Sequence, residues 1–178
     1  MIWITITLII LNKLLGEKRQ KNINETLSAP RFQKLRIKNP KRVPAPQEIF
    51  SWIDSKFQAW DWQEDFFIIY EEYYKVYNLK HVARAHEMVE SLKEGDLRSL
   101  SLSPAEFLIF CQKYLKYIRQ KSFGVFFLVE KDSELYFILV ETSSKDPAII
   151  LYPYDYFNRW NHRYGYRLVL RDPISLKK

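Results

Sequence analysis

Between Phe123 and Tyr156 the chain reads FGVFFLVEKDSELYFILVETSSKDPAIILYPYDY, and no other stretch restricts the fold as tightly. Val125–Glu130 and Leu135–Glu141 are runs of apolar, β-branched and aromatic residues with little polar alternation. That pattern predicts two strands buried on both faces, in the middle of a sheet covered by helices. Lys131-Asp132-Ser133 between them predicts a hairpin turn. After a turn at Asp146-Pro147, Ala148–Tyr152 predicts a third strand, and Tyr166–Arg171 a fourth that ends at Asp172-Pro173. The intervening Tyr154–Tyr164 predicts a helix packing Phe157 and Trp160, with Gly165 permitting the turn that follows.

Upstream the period changes. Ile49, Phe50, Ile53, Phe57 and Trp60 recur at three- and four-residue spacing after Pro46, which suits a first helical turn. Glu64–Tyr77 places Phe67, Tyr70, Tyr74 and Tyr77 on one helical stripe. Leu79–Leu92 does the same with Val82, Ala85, Val89 and Leu92, before a turn at Lys93-Glu94-Gly95-Asp96. Ser103-Pro104-Ala105-Glu106 has the strongest helix start: a capping serine, proline at the first helical position, and a glutamate that reaches back. At 178 residues there is room for one real core. The fold class is therefore α+β: a mainly antiparallel sheet over residues 123–171, packed by three to four helices. We expect one domain from 47 to 178, helical over 47–120 and sheet over 121–172.

The remaining residues differ in character. Ile2–Leu11, IWITITLIIL, is an unbroken run of apolar residues and threonines with no Lys or Arg before it. Residues 1–16 fit a short membrane anchor, since a spanning helix needs about 17–25 residues. The alternating, β-branched IWITIT also fits a core strand, and the basic residues that follow favour the anchor. Residues 17–46 have the composition of a basic, proline-containing linker. From Lys13 to Arg42 there are ten Lys/Arg (Lys13, Lys18, Arg19, Lys21, Arg31, Lys34, Arg36, Lys38, Lys41 and Arg42) against Glu17 and Glu25. The formal charge is +7 overall, +8 in this segment and −1 elsewhere. Such a segment beside an apolar run suits an anionic bilayer surface and puts the domain on the cytoplasm-like side. A nucleic-acid arm over 31–42 is the competing reading, a solvated connector the plain one, and alternation over Phe32–Lys38 also allows an edge strand.

Motifs for chemistry are sparse. A single cysteine, Cys111, within an apolar helical pattern reads as a small buried hydrophobe rather than a reactive thiol. His81 and His86 are five apart, which turns them about 140° from each other on a helix. No paired-cysteine, HExxH, phosphate-loop or dinucleotide pattern occurs, and a Cys111–His162 pairing has no sequence support. Asp132 and Glu141 on a strand pair suggest a metal-dependent nuclease, but the position two after Glu141 is Ser143 rather than lysine. We therefore expect no catalytic, cofactor-binding or metal-ligating set. Trp52, Trp60 and Trp62 are the candidate partner contacts.

From Ser103 to Phe157 the order is a capped helix with EFLIF, then GVFFLV, then ELYFILVETSSKDPAIILYPYD. This run resembles the SUKH superfamily of fungal cell-wall regulators and bacterial toxin-immunity proteins. The shared features are the helix start near a proline, the strand pair, and Glu141-Thr142-Ser143 through Pro147 to Tyr152. The resemblance implies a non-enzymatic protein-binding module on an α+β sheet. Together these features lead us to expect a membrane-tethered interaction protein. It would be an immunity-type inhibitor or an accessory or assembly subunit of a membrane complex, with a soluble cytoplasmic protein as the alternative.

Overall fold

A computed structural model describes residue 27 and residues 35–62, 71–92, 96–143 and 146–172. Its centre is the hairpin of β5 (Gly124–Lys131) and β6 (Glu134–Glu141), antiparallel in register from Gly124↔Glu141 to Lys131↔Glu134. Asp132 and Ser133 both take positive φ, 52° and 65°. That two-residue geometry follows the strand twist and fixes the register.

Among the described residues seven strands make the main sheet, in the order β1 (Leu35–Lys38), β3 (Glu71–Asn78), β9 (Arg167–Arg171), β5, β6, β7 (Ala148–Pro153), β2 (Trp52–Ile53). β5 and β6 are interior, as their two-faced hydrophobicity requires. The sheet is mixed rather than mainly antiparallel, because β5–β9 and β2–β7 are parallel pairs. The cause is the return path. After β7 reaches Pro153, residues 154–165 carry the chain back along the sheet, so β9 starts where β5 starts. The sheet also extends beyond 123–171, taking in β1, β2 and β3.

Side chains alternate between two layers. Val125, Phe127, Val129, Ile138, Val140 and Val169 face one core, with α4 (Pro104–Ile118) across them. Phe126, Leu128, Phe137, Leu139, Leu168 and Leu170 face the other, under Trp160 and residues of α2 (Ala85–Glu90). Helix α4 starts as its sequence requires: Ser103 accepts from the Glu106 N–H at 3.3 Å, and Glu106 accepts from the Ser103 N–H at 2.7 Å. Phe107 and Phe110 then meet Phe127 edge-on at 4.9 and 5.6 Å. Two short helices, α1 (Ser55–Gln58) and α3 (Leu97–Leu100), bring the helices to four among the described residues.

Four helical expectations fail, each for a physical reason. After Pro46, a 3-10 turn and the helix Ser55–Gln58 are separated by Trp52–Ile53, which pairs with β7 and so is extended. Within Glu64–Tyr77, residues 71–77 lie in β3. The tyrosine spacing is compatible with a helix, but EEYYKVYN is rich in strand formers and pairs on both edges with β1 and β9. Tyr74 and Tyr77 consequently enter different cores. In Leu79–Leu92 only Ala85–Glu90 is helical, after β4 (Ala83–Arg84) pairs with β8 (Arg159–Trp160). Tyr154–Tyr164 forms that β8 strand and a single 3-10 turn at His162–Tyr164. Trp160 packs against Phe126 at 4.9 Å as expected, whereas Phe157 is 71% exposed. Leu35–Lys38, within the segment read as linker, forms an edge strand.

Candidate interaction surface

Of the ten basic residues in the N-terminal segment, Lys13, Lys18, Arg19, Lys21, Arg31 and Lys34 lie outside the described residues, as does the 1–16 run. Arg36 on β1 pairs with Glu71 at 2.6 Å. Its carbonyl accepts from the Tyr114 hydroxyl at 2.5 Å and from Lys113 Nζ at 2.8 Å. Arg42 grips Glu48 with both guanidinium nitrogens, at 2.7 and 2.6 Å. Those hydrogen bonds hold the Glu48 carboxyl down at about 2. Lys38 and Lys41 are exposed. Trp60 and Trp62 flank Phe57 at 5.2 and 6.1 Å and are half-buried, while Trp52 on the short edge strand β2 is 53% exposed.

The proposed nuclease pair does not assemble. Asp132 sits in the hairpin turn beside Lys131 at 3.1 Å, and Glu141 closes the other end of β6. That strand separates them by roughly 25 Å at 3.4 Å per residue. No group of three or more His, Cys, Asp or Glu is arranged to hold a metal among the described residues. Cys111 is buried in the α4 layer, and burial pushes its thiol up. His81 and His162 are brought close, with ring centroids 6.1 Å apart.

Larger than any of these features is a difference between the two ends of the sheet. Where β5 and β9 finish, charges of both signs are interlocked. Glu106, 1% exposed, accepts from the Tyr74 hydroxyl at 2.9 Å and from the Arg171 guanidinium. Glu72 lies 3.8 Å from Arg171. Burial raises the Glu72 carboxyl, against the pull of Arg171. Burial also raises the Tyr74 hydroxyl, reinforced by the Glu106 charge. Lys75 reaches the buried Asp172 at 3.1 Å, and Arg98 clasps Glu130 and the Ser133 carbonyl.

Where β5 and β9 begin, the composition is one-sided. Three stretches meet there: 78–86, 113–124 and 158–167. The Leu79 N–H donates to the Tyr166 carbonyl and the Phe123 N–H to the Tyr164 carbonyl, both at 2.9 Å. The Arg167 guanidinium donates to the Ile118 and Gln120 carbonyls, tying the C-terminus of α4 to β9. Gly165 closes the seam. Its φ is +67°, and a Cβ there would stand 2.7 Å from the Lys121 carbonyl oxygen. These stretches hold nine Lys/Arg and all three histidines of the chain, with no Asp or Glu, although Lys113 reaches away to the Arg36 carbonyl on β1. Lys80, Lys116, Lys121 and Arg163 are exposed, whereas Arg159 leans on Glu87 at 3.6 Å. Tyr117 and Tyr164 are 61% and 58% exposed among them, with Phe123 5.6 Å from Tyr164. Trp52 belongs to the same end of the sheet through the row Trp52–Ala148–Glu141–Gly124. Glu141 and Asp146 are the acids that border it on the β6–β7 side.

A net charge of −1 outside the N-terminal segment conceals this end, because the acids are gathered elsewhere. Three acid-free stretches are visible in the sequence, but their meeting depends on the return path of 154–165. No helix among the described residues is long and apolar enough to cross a membrane. No protein-family model matches the chain, and no curated protein or solved structure matches it either.

Proposed function

We propose that the protein is a non-catalytic interaction module, held at a membrane by residues 1–16 and docking a protein partner through its folded part. It would serve as an immunity-type inhibitor or as an accessory or assembly subunit of a membrane complex, with the domain on the cytoplasm-like side. The observation that carries this reading is the apolar run Ile2–Leu11 followed at once by a segment of net charge +8. The exposed Trp52 on a two-residue edge strand supports a protein-docking role. The SUKH-like run over 103–157 points the same way. The nucleic-acid reading of 31–42 has less behind it, since Arg36 and Arg42 are engaged by Glu71 and Glu48.

Fractionation of the full-length protein tests the tether. It should stay with membranes through a high-salt wash and leave them with detergent, and release by salt alone refutes insertion. Pull-down in native detergent should return a protein partner whose capture weakens with Trp52→Ala.

A further inference from the structure

We infer that the basic, aromatic end of the sheet is the face the domain turns toward an anionic bilayer surface. The inference rests on the tether proposed above and specifies how the domain sits on it.

Three observations converge. The first is where the N-terminal segment joins the fold. Leu27 forms an antiparallel bridge with Leu79 and is buried in the same core. Leu79 immediately precedes Lys80 and His81, so the chain enters the domain at the basic end. Gly16 is eleven residues before Leu27, a leash of at most about 40 Å when fully extended. An apolar run inserted in a bilayer therefore leads into the fold at this end, and with a leash of that length charge and exposed side chains decide which end rests on the surface.

The second is charge. The stretches 78–86, 113–124 and 158–167 contain no acid to repel anionic headgroups, and Lys80, Lys116, Lys121 and Arg163 are exposed. The intervening leader residues Lys18, Arg19 and Lys21 add the same sign along the leash. The third is the kind of apolar side chain exposed there. Tyr117 and Tyr164 are residue types that settle at headgroup level, with an apolar body and a polar tip. Stacking on nucleic-acid bases would use similar chemistry, but the entry point at Leu27 favours the bilayer.

The test uses the full-length chain and two kinds of vesicle: phosphatidylcholine alone, and phosphatidylcholine mixed with phosphatidylserine. Wild type should bind both, about tenfold or more tightly to the anionic vesicles, with the gain abolished by salt. The triple variant Lys116→Glu, Lys121→Glu, Arg163→Glu should lose most of that gain, keeping the smaller part that the leader lysines and arginines supply, and should keep its binding to neutral vesicles. Ile9→Asp, in the apolar run, should instead lose neutral-vesicle binding while retaining a salt-sensitive preference for phosphatidylserine. The tether and the face therefore fail separately: absent neutral binding by wild type refutes the tether, while an anionic gain smaller in the triple variant than in wild type upholds the face. No gain for wild type on phosphatidylserine overturns the inference without any variant. A triple variant that keeps the whole gain also overturns it, as does one whose only loss is binding to a single-stranded oligonucleotide.

Discussion

The two ends of this sheet use charge in opposite ways. At the end where β5 finishes, Glu106, Arg171, Tyr74 and Glu72 are packed together, and Lys75 meets a buried Asp172. Where β5 begins, basic side chains outnumber the acids beside them, Glu87 and Glu141, and aromatic rings stand in solvent. A buried charge must be matched by its neighbours or the folded state is penalised. An exposed charge asks little of the fold and remains available to something outside it. On the proposed reading, the difference separates residues that hold the protein together from residues left available to a partner. It predicts that substitutions at one end change stability and substitutions at the other change binding.

The largest effect belongs to Glu106→Ala. It strips the Arg171 guanidinium and the Tyr74 hydroxyl of a shared acceptor and uncaps α4, so urea unfolding should register a loss of about 3–5 kcal/mol. A loss below about 1 kcal/mol would mean the network is not a structural core. Next is Gly165→Ala, a backbone site where the basic end resists change. A left-handed φ and a 2.7 Å approach to the Lys121 carbonyl should cost about 1–3 kcal/mol, read from thermal melting. An unchanged midpoint would show that the seam yields easily.

A smaller effect comes from Glu72. Burial raises its carboxyl above the unfolded value, so the folded state holds that proton more firmly. Its contribution to stability is present below the unfolded pKa and is lost as pH rises through the raised folded value. Glu72→Gln should therefore stabilise the protein at pH 7 and flatten the stability profile above the ordinary carboxylate range. A variant less stable at pH 7 would show that attraction to Arg171 outweighs burial. Smallest of all are Lys116→Glu, Lys121→Glu and Arg163→Glu, each expected to leave unfolding stability within about 0.5 kcal/mol. If they destabilise as strongly as Glu106→Ala, the contrast between the ends is lost.

Parts of this molecule are legible from local sequence, and parts depend on distant pairing. The β5–β6 hairpin and the start of α4 are local: consecutive apolar residues bounded by a turn, and Ser103 three before Glu106. Strand β3 is different. Its tyrosines satisfy both periods, and β1 and β9, from opposite ends of the chain, decide between them. Residues 154–164 mislead for a related reason, because Trp160 is buried through pairing with Ala83 rather than on a helix face. Trp60 and Trp62, read as partner contacts, instead pack both rings against Phe57. The basic end was hidden in a near-neutral total, since charge counted along a chain does not reveal which stretches will meet.

The orientation on a bilayer is the most direct test. Cys111 is buried, so a cysteine introduced at an exposed site can be labelled selectively. Gln120→Cys places a fluorophore at the basic end, and Glu134→Cys places one at the hairpin end, roughly 25 Å away along β6. With a quencher attached to lipid headgroups, fluorescence at 120 should be quenched several-fold more than fluorescence at 134. Equal quenching, or stronger quenching at 134, would contradict a domain that rests on its basic end.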